Sequence, residues 1–184
     1  MQNIQQTHSQ NYEAHALKIE CTRLASTLGD ALKTRNLKLT LAESCTGGMV
    51  AEHITAIAGS SAWFDYGFVT YSNDAKAHLL NVFLQTLQQF GAVSEHVALE
   101  MATGALDKSQ ANIAASITGI AGPDGGSQEK PVGTVCFGFA LKDPLKTLTE
   151  SDTQHFSGNR ESIRLQSTQY ALKKLLCLTL SIEI

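Results

Sequence analysis

An α/β sandwich on a mixed, partly parallel sheet is the fold class this 184-residue sequence predicts, and three observations predict it. Helical and strand-like periodicities alternate along the chain. Two of the strand-like runs lead through a short polar loop straight into a helical run, as in β-α-β units. The last two strand-like runs follow one another with no helix between them, which makes room for an antiparallel part beside right-handed parallel connections. One core suffices, since a chain of this length buries roughly 70% of the surface that it exposes when unfolded. With 43% hydrophobic and 17% charged residues, the balance is that of a folded globular chain.

The elements follow in order. Residues 1–12 are polar and are expected to form a flexible lead-in, leaving 13–184 as a single domain. Leu17, Cys21, Leu24, Leu28 and Leu32 recur at helical spacing. LKLTLAES alternates apolar and polar residues and predicts a strand ending near Ala42; Gly47 to Ala58 resumes a helical pattern that Gly59 closes. WFDYGFVTYS is rich in aromatic and β-branched residues, which predicts a second strand, and Asn73 can cap a helix beginning at Asp74. Leu84 to Phe90 predicts a short helix, and Ser94 caps another over HVALEMATGAL. ANIAASITG, VGTVCFGFAL and TLTESDTQHF predict three more strands, the first two separated by the glycine-rich GIAGPDGGSQEKP. After Gly158 and Asn159 the chain predicts helix to its end.

Composition excludes several classes. A net charge of −3 with no Lys/Arg run interleaved with aromatics predicts no nucleic-acid partner. No window is apolar over the ~20 residues a membrane helix needs, and the polar start lacks a secretory signal, so a cytoplasmic protein is expected. Cys21, Cys45, Cys136 and Cys177 are widely spaced, which predicts reduced thiols. The six histidines lack paired-ligand spacing; His53 and His78 are expected to be ordinary surface or half-buried side chains, and no metal or cofactor is expected.

Parallel sheets gather chemistry where the carboxyl ends of the strands open into loops. AESCTGG, TYSNDAK and TGIAGPDGG fill such places. Ser44 follows a strand and precedes a glycine-opened helix, where free backbone N–H groups can stabilise an oxyanion or hold a phosphate, or where the serine simply caps the helix. Lys76, third residue after a cap at Asn73, sits where the helix dipole opposes positive charge; partly desolvated, it could serve Ser44 as general base, or pair with Asp74 on the surface. Tyr71 could orient either group or stand at the rim. Thr118, Gly119 and Gly122 belong to a loop that matches neither the P-loop nor G-x-G-x-x-G, so a standard nucleotide site is unsupported there. Arg160 and Arg164, one turn apart, could form a phosphate fork.

Together, LAESCTGG, GSSAWFDYGFVTYSNDAK, GAVSEHV, SITGIAGPDGGSQEKPVGTV and SGNRESIRLQSTQYAL resemble the CinA C-terminal domain family in its stand-alone form, over about residues 15 to 175. The resemblance implies a three-layer α/β/α sandwich, and hydrolysis of the carboxamide of nicotinamide mononucleotide to nicotinate mononucleotide and ammonia in NAD salvage. It implies Ser44 as nucleophile and Lys76 as base with Tyr71 assisting, and Cys45, Thr46, Gly47, Gly48, Thr118, Gly119, Gly122, Arg160 and Arg164 lining the substrate. A homo-oligomer, a dimer favoured, is expected. Two alternatives stand beside this: a non-catalytic module holding phosphate at the same helix N-termini, and an amidase for another carboxamide. The large N-terminal domain of two-domain members has no counterpart in these residues, so its activities are not expected.

Overall fold

A computed structural model describes the backbone of residues 2–142 and 147–182, and side chains from Tyr12 onward within them. The elements are α1 (Gln2–Thr34), β1 (Leu39–Glu43), α2 (Met49–Thr55), β2 (Phe64–Val69), α3 (Asn73–Leu80), α4 (Leu84–Phe90), α5 (Glu95–Asp107), β3 (Ile113–Gly119), β4 (Thr134–Lys142), β5 (Thr147–His155) and α6 (Arg160–Leu180). The helical backbone of α1 starts at Gln2, so the stretch expected as a lead-in continues the first helix; it contains no Gly or Pro to stop it.

The five strands lie in the order β2-β1-β3-β4-β5, with β1 parallel to both β2 and β3, and β4 and β5 antiparallel. Alternation along each strand assigns its two faces. Ile113, Ala115, Ile117, Val135, Phe137 and Phe139 point to a core shared with Cys21, Leu24, Leu28, Trp63, Ile163 and Leu172, which lie mostly on α1 and α6. Ala42 points the other way and packs with Leu80, Leu87, Val97 and Met101 of α3, α4 and α5. The result is a three-layer α/β/α sandwich with a mixed sheet. Trp63 is buried against α1, beside Gly29.

The face toward α5 is built from small residues for a steric reason. The hydroxyl of Ser116 donates to the Ala98 carbonyl, and a methyl group on Gly138 would collide with the backbone at Ala98. Close approach of α5 to β3 and β4 depends on that side-chain economy.

The chain leaves β1 for β2 on one side and then crosses back to β3 on the other, so β1 is the switch point of the sheet. Helix α2 packs with α1 and α6, whereas α3 packs with α5 on the opposite face. Loops departing to opposite faces from neighbouring strand ends leave a crevice at the carboxyl end of β1.

Candidate active site

Ser44 is the first residue beyond β1, and its N–H donates to the Ile117 carbonyl of β3 at 2.9 Å. The chain then turns tightly: Gly47 N–H donates to Ser44 O (3.0 Å) and Met49 N–H to Thr46 O (3.2 Å). Gly48, the residue before α2, has φ 92°, a left-handed conformation that a side chain resists. Helix α2 therefore starts at Met49, two residues later than the sequence predicts.

Across the crevice, β2 ends and Ser72 caps α3, its hydroxyl accepting from Ala75 N–H. The cap is Ser72 rather than Asn73, which makes Lys76 the fourth helical residue, its N–H bonded to Ser72 O at 3.1 Å. The side chain of Lys76 is only 1% exposed and runs back to the sheet edge. Its Nζ lies 3.0 Å from Ser44 Oγ, 2.9 Å from Thr70 O and 3.5 Å from Tyr71 O. Burial pushes the amine below the usual lysine range, the desolvation expected from the sequence.

Among the described residues, the N–H groups of Cys45 and Thr46 have no protein acceptor, whereas those of Gly48, Val50 and Ala51 all donate to the carboxylate of Glu43. The donors without a protein acceptor are thus fewer than the span from Cys45 to Gly48 that the sequence suggests. The Cys45 thiol is enclosed, and burial raises its pKa to about 12, so it stays protonated at neutral pH.

The remaining candidates form the rim. Tyr71 is exposed, and its hydroxyl accepts from Arg160 Nη2 at 3.0 Å, so its side chain is turned to α6 and only its carbonyl approaches Lys76. Arg160 Nη1 donates to Gly122 O at 2.7 Å, while Arg164 Nη2 donates to Thr46 O. The two guanidinium groups therefore separate, each tying a different loop to α6. Thr118 donates its hydroxyl to Ala92 O (2.8 Å), and Gly119 leaves no room for a side chain beside Thr134. Lys130 is committed elsewhere: its ammonium donates to the carbonyls of Phe90 (2.8 Å) and Val93 (2.7 Å), pinning the glycine-rich loop to the α4–α5 connection. Sequence reasoning missed this clamp and the buried Glu43.

His53 and His78 bond locally, to Thr22 and to the Asp74 carbonyl, and take no part in the site. A cavity of about 250 Å³ between α1 and the start of α6, lined by Glu13, Ser157, Asn159 and Glu161, holds no lysine or arginine. Neither Ser44 nor Lys76 lines it. No helix among the described residues is long and apolar enough to cross a membrane.

Comparison with known proteins gives the family. Residues 21–179 match the CinA C-terminal domain. The chain is 58% identical over 162 residues to nicotinamide-nucleotide amidohydrolase PncC of Enterobacter agglomerans, covering 88% of this chain and 93% of that protein. It is 47% identical to a CinA-like protein of Chlorobium limicola over 83% of this chain but 36% of that longer protein. The crystal structure of competence/damage inducible protein CihA from Agrobacterium tumefaciens superposes with a TM-score of 0.81 at 45% identity, covering 86% of this chain and 95% of that one. With the match spanning most of the sequence and the same fold in a solved relative, the chain belongs to the CinA C-terminal domain family.

Proposed function

We propose that the chain is an amidohydrolase that converts nicotinamide mononucleotide to nicotinate mononucleotide and ammonia with a Ser44–Lys76 pair. The observation that carries this reading is the 3.0 Å separation of Ser44 Oγ from the enclosed Nζ of Lys76. A neutral amine has two hydrogens and one lone pair. Donating the hydrogens to Thr70 O and Tyr71 O leaves the lone pair for the hydroxyl proton of Ser44. Ser44 Oγ attacks the carboxamide carbon as its proton passes to Nζ. The resulting oxyanion takes hydrogen bonds from Cys45 and Thr46 N–H, and the Lys76 ammonium returns the proton to the leaving nitrogen, so that ammonia departs. Water then attacks the acyl-enzyme with Lys76 again as base, releasing the carboxylate and regenerating Ser44.

Arg160 is the expected phosphate partner. Its guanidinium, bonded to Gly122 O and the Tyr71 hydroxyl, is exposed at the rim, whereas Lys130 and Arg164 are half-buried against main-chain carbonyls. The similarity to an amidohydrolase named for nicotinamide nucleotide supports the choice of substrate and, with it, a place in pyridine nucleotide salvage. Buried free thiols at Cys21, Cys45 and Cys136 suit a reducing cytoplasm, and exposed Tyr66, Phe83 and Leu84 favour a homodimer. Against the rival phosphate-holding module stands the start of α2, where the N–H groups of Gly48, Val50 and Ala51 are already taken by Glu43.

The test is ammonia release from nicotinamide mononucleotide, from nicotinamide riboside and from a non-nucleotide carboxamide. Turnover chiefly of the mononucleotide is expected. Binding without ammonia would select the non-catalytic module, and preference for another carboxamide would reassign the substrate.

A further inference from the structure

Glu43 is 1% exposed, and the mechanism above gives it no chemical step. It pairs with no lysine or arginine among the described residues. A buried carboxylate is retained only where hydrogen bonds compensate its lost hydration. Here they come from three backbone donors: Gly48 (3.0 Å) and Val50 (3.2 Å) to Oε2, and Ala51 (2.9 Å) to Oε1. These are groups at the start of α2 that the helix itself leaves unpaired, and the positive end of the helix dipole faces the same carboxylate.

The backbone of Glu43 reaches the other half of the site. Its carbonyl accepts from Thr70 N–H at 2.9 Å, and the carbonyl of Thr70 in turn accepts from Lys76 Nζ at 2.9 Å. One residue therefore holds both partners. Its side chain fixes the far end of the turn that carries Ser44, and its main chain fixes the strand end that holds the amine. Because Glu43 takes up the donors of Gly48, Val50 and Ala51, the turn is left with Cys45 and Thr46 N–H as its unpaired donors next to Ser44.

From this we infer that Glu43 is a positioning residue of the hydrolytic site: its buried carboxylate clamps the start of α2 and so sets Ser44 Oγ and the two neighbouring N–H groups against Lys76. The inference rests on the amidase reading for its kinetic consequence, but not for its geometric one. Replacement by glutamine keeps the shape, yet the side-chain amide must turn a donor toward backbone donors. Replacement by aspartate keeps the carboxyl group and withdraws it by one methylene.

The experiment compares Glu43→Gln and Glu43→Asp with the unmodified chain in three readouts: kcat and KM for nicotinamide mononucleotide, the rate at which a fluorophosphonate labels Ser44 by intact mass, and the thermal midpoint. Glu43→Gln is expected to lower kcat by about 100-fold, the scale of a 1 Å misplacement, and to slow labelling comparably. KM and the midpoint of the pH profile should be unmoved, since burial of Lys76 sets the latter. Labelling and turnover at the unmodified level per folded molecule would overturn the inference. If Glu43→Gln does not fold, Glu43→Asp decides by the same criteria. Failure of both to fold would make Glu43 a stability residue and likewise overturn a positioning role. An unmodified chain that labels at Ser44 but releases no ammonia would sink the amidase reading alone, leaving the labelling arm to decide on Glu43. No labelling at Ser44 would end both.

Discussion

Lys76→Met isolates what the buried amine costs the fold and what it gives the site. In the folded chain burial disfavours the charged amine, so its pKa lies below the 10.5 of a free lysine. At a pH below both values lysine is protonated folded and unfolded, and the folded state bears the full desolvation penalty. Between the depressed value and 10.5 the unfolded chain binds one more proton, so stability rises with pH, by at most about 1.4 kcal/mol per pH unit, and levels off above 10.5. Methionine, similar in length and uncharged, removes that slope. It also removes the hydrogen bonds to Ser44 Oγ and Thr70 O, a loss of about 1–3 kcal/mol for buried polar groups left unpaired. The variant should thus be inactive in ammonia release, close in stability to the unmodified chain at neutral pH, and flatter in stability as the pH rises towards 10.5. Urea unfolding followed across pH measures this directly. Parallel stability–pH curves for the two proteins would refute the claim that a desolvated amine sits beside Ser44.

Three further outcomes are expected. For the unmodified chain kcat/KM should rise with pH through the depressed pKa of Lys76, because the base works only when neutral; a profile that falls over this range contradicts the assignment. Arg160→Ala should raise KM for nicotinamide mononucleotide by about 10- to 100-fold, the worth of a charge-assisted hydrogen bond, with a much smaller change for the riboside; equal changes for both would remove Arg160 from the phosphate. Gly138→Ala places a methyl group against the Ala98 backbone and should destabilise the fold by about 1–3 kcal/mol in chemical denaturation, whereas an unchanged midpoint would show that α5 can shift at little cost.

Much of the site was legible because local signals suffice for it. The strand–loop–helix punctuation around Ser44 and the helix start before Lys76 are written in short stretches, as is the cap Ser94, which caps α5 as expected. The cap of α3 falls one residue earlier than expected because Ser72 and Asn73 are both good cap formers and only the backbone path chooses between them. Desolvation of Lys76 was expected, but not its extent: that depends on how α3 packs on α5, which spacing does not specify. Glu43 was missed because its carboxylate reaches donors five, seven and eight positions ahead, outside the capping-box spacing. Arg160 and Arg164 look alike on one helix, yet their partners lie 38, 89 and 118 positions away, so only the folded chain sends them to different loops.

The most direct test of the nucleophilic pairing is to mix the chain with nicotinamide mononucleotide, quench in acid during turnover, digest, and locate any acyl adduct by mass spectrometry. An adduct on Ser44 is expected, absent from Ser44→Ala, which should also release no ammonia. Near-normal ammonia release by Ser44→Ala, or an adduct on a different side chain, would contradict a mechanism in which Lys76 activates Ser44.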